Sequence, residues 1–401
     1  MAHVRIWLKR ISFLIIMTTG ALIIAVATAV FYWQSTDAGR LPAKTAVVLH
    51  AINNNLVPLD IDIQLPDFLS GTGSPAGTSS RMVREDISIP VTEELDIPAR
   101  VYYPNTDGPH PMLMYYHGGA FMEGYGNLET HDNIIRSIAR RTNSVVIAPS
   151  YRLAPSYVYP TAVEDSYAAL TWAIEHADRF NGNPSQMNVA GDSAGGNIAT
   201  VVSMMARDRE GPEIQSQVLL YPLTTFLEVP FDSRDRYDSG YFLLSRSVMF
   251  RARDLYTPQE LMWTSPYTSP LHAPDLTNLP PALIITAEFD PLRDEGEAYA
   301  ERLFDSGVPV KLTRYEGVMH AFISFYEVMQ SGREGLTEVT GFIREVNSGQ
   351  FENDQDQLSL SVVPPPQGAE RIRDQSEAFA IGTYLLFRTG MNMFNSILYK
   401  E

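Results

Sequence analysis

The pentapeptide Gly191-Asp192-Ser193-Ala194-Gly195 occurs once in the chain and sets a hydroxyl between two glycines. The apolar run Met187-Asn188-Val189-Ala190 precedes it and a helical segment begins near Gly196, so the serine falls on a sharp turn from strand to helix. Such a turn strains the backbone at the serine. It also packs strand and helix so closely that side chains two residues away would clash, which is why glycine flanks the motif. The hydroxyl stands clear at the carboxyl edge of a sheet, and the positive end of the following helix favours negative charge developing beside it.

A serine hydroxyl is a poor nucleophile until a histidine accepts its proton, and in this design acid and histidine follow the serine in chain order. Two histidines come after Ser193. His272 lies in the proline-bounded stretch Ser269 to Pro274, which suits a structural or lid position. His320 follows the run Val308 to Tyr315 and a turn at Gly317, on a loop after the last predicted strand, where the base should sit. Asp290 directly ends the run Ala282 to Phe289 and is the expected acid, orienting the imidazole and stabilising its protonated form. Asp294, one helical turn further on, is the fallback and should face away. For a developing oxyanion, His117-Gly118-Gly119-Ala120 follows the strand candidate Met112 to Tyr116. The amides of Gly118, Gly119 and Ala194 are the expected three-donor hole, with His117 itself structural.

These residues need a frame. Apolar or alternating runs at Asp86 to Ile89, Ile97 to Tyr103, Met112 to Tyr116, Ser144 to Ala148, Met187 to Ala190, Gln217 to Tyr221, Ala282 to Thr286 and Val308 to Leu312 read as strands. From Met112 onward helical periods separate them, which implies a mostly parallel, helix-covered sheet over residues 83–346. Residues 224–275 break the rhythm with irregularly spaced Phe, Tyr, Met and Trp and are expected to form a cap beside the site. Residues 35–82, with a Gly/Ser/Pro-rich stretch from Ser70 to Ser80, read as linker and N-terminal part of the cap. Residues 347–369, with an acidic and amide run and three consecutive prolines, read as a second linker. Residues 370–401 repeat apolar positions at three- and four-residue spacing and are expected to form an amphipathic helix. Arg388 and two asparagines weigh against its being a second membrane span.

At the other end, Ile11 to Trp33 is long and apolar enough to cross a hydrocarbon layer about 30 Å thick. Arg5, Lys9 and Arg10 before it favour a cytoplasmic N-terminus, with the main domain on the non-cytoplasmic side. Residues 1–34 are therefore expected to anchor the chain in a membrane. The alternative is a signal segment cleaved after Ala27-Thr28-Ala29, giving a secreted or periplasmic protein. With 30 Lys and Arg against 47 Asp and Glu, the chain has a formal charge of −17, which repels nucleic acid phosphates. The absence of cysteine removes disulfides, thiolate catalysis and Cys-ligated zinc.

Taken together, His117-Gly118-Gly119, Tyr151-Arg152-Leu153-Ala154-Pro155, Tyr159-Pro160 with Glu164-Asp165, Gly191 to Gly196, Asp290 to Gly296 and His320-Ala321-Phe322 resemble the hormone-sensitive lipase family of α/β hydrolases, bacterial family IV esterases included. The resemblance covers about residues 80–346. It implies an eight-stranded, mostly parallel sheet with helices on both faces, a helical cap, and neither cofactor nor metal. It also implies a serine carboxylesterase acting on small-molecule esters of short or medium acyl chain. Ala120 and Ala321 depart from the family's usual glycines, and neither is a triad member. A lipase on longer chains, an arylacetamide-type amidase, and a binding protein on the same fold are the alternatives. The last should have lost a triad or oxyanion residue, and none is missing.

Overall fold

The computed structural model describes residues 2–56, 82–351 and 356–398. The chain forms two compact units, Asp60–Pro364 and a smaller one made of Met1–Leu59 with Pro365–Glu401.

In the smaller unit, α1 (Ala2–Trp33) leads through a tight antiparallel turn, Ser35–Thr36 against Gly39–Arg40, into α2 (Ala43–Asn53). The C-terminal helix, Gly368–Leu398, completes it. Val26 and Val30 of α1, Ala43, Val47 and Ala51 of α2, and Ala378 and Leu385 of the C-terminal helix share one small core. Trp33 stacks on His50 with ring centroids 3.8 Å apart. Lys44 is buried and pairs with Glu377 and Asp374. The helix α2, read from sequence as linker or cap, is thus part of this terminal unit. The Ser70 to Ser80 stretch lies outside the described residues.

The larger unit is built on a sheet of β1 (Met82–Pro90), β2 (Asp96–Pro104), β3 (His110–Tyr116), β4 (Val145–Pro149), β5 (Gly182–Asp192), β6 (Ser216–Leu220), β7 (Ala282–Phe289), β8 (Val310–Met319) and β9 (Leu360–Val363). Their spatial order is β9-β8-β7-β6-β5-β3-β4-β2-β1, with β1 and β4 antiparallel to β2 and every other pair parallel. Central strands such as Val145-Val146-Ile147-Ala148 and Leu283-Ile284-Ile285 are buried along their whole length, as a sheet covered on both faces requires. Around it run α3 (Asp132–Thr142), α4 (Thr161–Glu175) and α5 (Ala194–Asp208), and then the interruption at 224–275, which holds α6 (Asp232–Arg236), α7 (Arg246–Tyr256) and α8 (Glu260–Trp263). The helices α9 (Arg293–Asp305) and α10 (Gln330–Asn347) follow.

The eight expected strands are all present, and the sheet has a ninth among the described residues. Leu360–Val363, inside the stretch read as a linker, pairs in parallel with Leu312–Tyr315 of β8. Four residues beside a proline run are too short to show alternation, and this edge strand is largely exposed. Its pairing comes from the free edge of β8, a tertiary cause that the local sequence does not carry.

The interruption is tied to the sheet at a buried ion pair. Glu295 of α9 is fully buried, accepts the Thr224 N–H at 2.6 Å, and pairs with Arg234 of α6 at 2.5 and 2.9 Å. Arg234 also donates to the carbonyls of Thr225 and Leu227. Removing one member of such a pair strands the other charge in the interior. Arg234→Met is therefore expected to destabilise the protein by about 3–5 kcal/mol. Chemical denaturation will measure this, and Arg234→Met combined with Glu295→Gln should recover part of the loss.

Candidate active site

Register brings the catalytic candidates to one edge. Tyr116, the last residue of β3, pairs with Gly191 of β5, so the loop that starts at His117 and the turn that holds Ser193 leave the sheet side by side. A side chain at Gly195 would collide with the backbone of Tyr116 and His117, and one at Gly191 with the backbone of Gly195. This is the close approach for which the glycines were expected. Ser193 sits at φ 55°, ψ −117°, a strained conformation for a residue with a side chain, held by its N–H on the Leu220 carbonyl at 2.9 Å. It caps α5, and its own carbonyl receives the Asn197 and Leu223 amides.

Asp290 follows β7 and His320 follows β8, the two strands next in line beyond β6. His320 Nε2 lies 3.0 Å from Ser193 Oγ, and His320 Nδ1 lies 2.7 Å from Asp290 Oδ2. Asp290 is fully buried, and its other oxygen accepts the Leu292 N–H at 2.8 Å. The carboxylate is thereby fixed on both oxygens, and the imidazole has one nitrogen for the acid and one for the hydroxyl. Tyr221 packs edge-on against the His320 ring, centroids 5.1 Å apart. The two other candidates are elsewhere. His272 Nε2 meets Thr225 Oγ1 at 3.0 Å, and Asp294 takes the Ser233 amide at 2.8 Å and Arg293 Nε at 2.7 Å.

The loop after β3 departs from expectation at one residue. The Gly118 N–H donates to Asp192 Oδ1 at 3.0 Å, so that amide is not free to meet an oxyanion. The same carboxylate, buried beside the nucleophile, accepts the Tyr115 hydroxyl at 2.8 Å and faces His131 Nε2 at 3.2 Å. Burial raises the Asp192 pKa, but His131 and Tyr115 outweigh it and hold the group below its ordinary value. Burial likewise lowers the His131 pKa, and Asp192 more than offsets this. Gly119 and Ala120 come next, at φ 123° and 55°, and among the described residues their amides donate to no protein group. His117 is buried with its pKa pushed down to about 4, chiefly by desolvation, so it is neutral. Its ring stacks on Tyr151, whose hydroxyl donates to the His117 carbonyl. These contacts tie the start of the loop to the chain at Tyr151.

Other sequence motifs support this edge. Arg152 grips Asp165 with Nε at 2.8 Å and Nη2 at 2.6 Å, which fixes the chain directly after Tyr151. Ala120 and Ala321, the two alanines at expected glycine positions, both hold left-handed backbone, φ 55° and 62°. The fold therefore keeps the glycine-like turn at both places and bears the strain of a Cβ.

The model of a family described as alpha/beta hydrolase fold matches residues 113–324, a span that holds Ser193, Asp290 and His320. The chain belongs to the α/β-hydrolase fold family, in its hormone-sensitive lipase branch. It is similar to the carboxylic ester hydrolase LipN of Mycobacterium tuberculosis, with 39% identity over 264 residues that cover 65% of this chain and 69% of that one. Similarity to the arylesterase of Saccharolobus solfataricus is 39% over 231 residues, 58% of this chain and 74% of the relative. Among solved structures, an esterase of Pyrobaculum calidifontis superposes with a TM-score of 0.63 at 43% identity, covering 66% of this chain and 85% of that one.

Proposed function

We propose that this carboxylic ester hydrolase works by two-stage acyl transfer, with Ser193 as nucleophile, His320 as general base and acid, and Asp290 as the group that orients and charge-balances His320. Ser193 Oγ attacks the ester carbonyl while His320 Nε2 takes its proton. The imidazolium then protonates the leaving alcohol, and a water activated by the same nitrogen releases the acid. The observation that carries this reading is the continuous hydrogen-bonded line from Ser193 Oγ through His320 to the buried Asp290.

The oxyanion is assigned to the amides of Gly119, Ala120 and Ala194. Gly118 is replaced by Ala120 because its own N–H is engaged by Asp192. Each remaining donor is worth about 3–4 kcal/mol of transition-state stabilisation. The substrates are small-molecule esters of short to medium acyl chain. Hydrolysis of nitrophenyl esters from two to sixteen carbons by the full-length protein is expected to peak at or below eight carbons. A maximum at the longest chains would make the protein a lipase, and turnover of anilides alone an amidase.

The helix α1 is assigned as a membrane anchor with the catalytic unit on the non-cytoplasmic side. Arg10–Trp33 is 24 residues long with mean hydropathy 2.4, and most of it is uncovered by protein. In vesicles, a cysteine at Ile16 should be closed to a membrane-impermeant maleimide. Free reaction there would contradict the anchor.

A further inference from the structure

The C-terminal helix is apolar on its outer side as well as on the side that meets the protein. Its protein-facing side carries Ala378 and Leu385, 0% and 2% exposed, and Gly382, which approaches Val26, Val30 and Trp33 of α1, with Phe379, Ile381 and Leu386 packed against the same core. On the far side Tyr384 is 57% exposed and Phe387 is 69% exposed. Large apolar side chains therefore stand on both sides of the helix, Phe379, Ile381, Leu385 and Leu386 toward the core and Tyr384 and Phe387 away from it. Water selects a polar outer side for such a helix. Hydrocarbon accepts an apolar one, because lipid tails are as apolar as the side chains turned toward them.

Length and charge agree. Ala378 to Leu398 contains 21 residues, about 31 Å of helix, with Arg388 as its one charged residue. Glu370, Arg371, Arg373, Asp374 and Glu377 crowd the turns before it, and Lys400 follows. The buried Lys44, paired with Asp374 and Glu377, closes the polar end. The neighbouring α1 leaves a broad apolar surface open, including Phe13, Leu14, Ile16 and Ile24, each at least 65% exposed.

We infer that the C-terminal helix enters the lipid bilayer beside α1, so that the two helices form one membrane-embedded pair whose outward line, Tyr384 and Phe387, faces lipid hydrocarbon. This rests on the reading of α1 as an anchor. Arg388 falls midway along the stretch and makes insertion of this helix alone unfavourable, so its insertion depends on α1. The sequence reading that weighed Arg388 and the asparagines against a second span treated the helix as if it were alone.

The chain has no cysteine, so any introduced thiol is its only one. Full-length single-cysteine variants Glu210→Cys, Ile16→Cys, Met391→Cys, Phe394→Cys and Glu401→Cys are placed in phosphatidylcholine–phosphatidylglycerol vesicles and exposed to a membrane-impermeant maleimide. Ester hydrolysis verifies the fold of each. Glu210→Cys should label fully. Ile16→Cys, Met391→Cys and Phe394→Cys should reach less than about a tenth of that until the protein is denatured, and Glu401→Cys should label only once the vesicles are opened. Removing residues 2–34 should make Met391→Cys and Phe394→Cys reactive. If Ile16→Cys is protected while both of these sites label like Glu210→Cys, the anchor stands and the inference is overturned. If Ile16→Cys itself labels, the anchor fails and the inference with it. Quantitative disulfide dimers of a Phe387→Cys variant would mean that a second copy covers the outward line, which also overturns it.

Discussion

Ser193→Ala will lower kcat on a short-chain nitrophenyl ester by on the order of a million-fold while leaving the unfolding midpoint close to that of the parent protein. In the proposed mechanism the hydroxyl is the atom acylated, and its side-chain contact at the site is His320 Nε2 at 3.0 Å. Neither strand pairing nor the packing of α5 on the sheet uses it. Alanine keeps the Cβ and the strained turn at φ 55°, so the fold has nothing new to accommodate. His320→Ala should cost about as much, and the double variant no more than either single one, because hydroxyl and imidazole perform one proton transfer between them. A residual rate of about 10^3 to 10^4 over the uncatalysed reaction should survive, supplied by the oxyanion amides and binding. Additive losses would mean that the two groups act in separate steps.

The second large effect is expected at the acid. Asp290→Asn will reduce kcat by about 10^4-fold. An amide facing His320 Nδ1 can donate a hydrogen bond, which moves the ring proton to Nε2 and leaves no lone pair toward Ser193. Asp294→Asn is expected to change kcat by less than about ten-fold, because that carboxylate serves the Ser233 amide and Arg293. Steady-state kinetics of the two variants, with KM followed alongside kcat, decide between the carboxylates. An Asp294 loss larger than the Asp290 loss would reverse the assignment.

The hydrogen-bonded line of Ser193, His320 and Asp290 was legible in the sequence because each member is punctuated locally. Ser193 lies between glycines after an apolar run, Asp290 stands at the end of one, and His320 follows another with a glycine turn before it. Strands buried on both faces write themselves as continuous apolar segments, which is why the six from Met112 to Leu312 could be placed, whereas the half-exposed β1 was placed by its alternation. Among the expected oxyanion donors, the Gly118 amide is engaged elsewhere, which the sequence did not show. Backbone amides carry no side-chain signature, and Gly118 is excluded by a hydrogen bond to a residue 74 positions away. One signal was available. Asp192 is an acid inside a motif that must be buried, and a buried carboxylate needs donors from its surroundings, of which the adjacent loop is a source. The ninth strand and the place of α2 depend on distant partners, β8 and the C-terminal helix, and no local period encodes either. Which apolar residues of the C-terminal helix stay uncovered, Tyr384 and Phe387, could be seen only once its protein-facing side was known.

The most direct test of the central claim is covalent. Full-length protein treated with a short-chain alkyl phosphonate ester, a reagent that phosphonylates activated serines, should lose ester hydrolysis as it gains one adduct per chain. Peptide mass spectrometry should place that adduct on Ser193, with labelling slowed by orders of magnitude in His320→Ala. An adduct on any other serine, or full inactivation with Ser193 unmodified, would contradict the account.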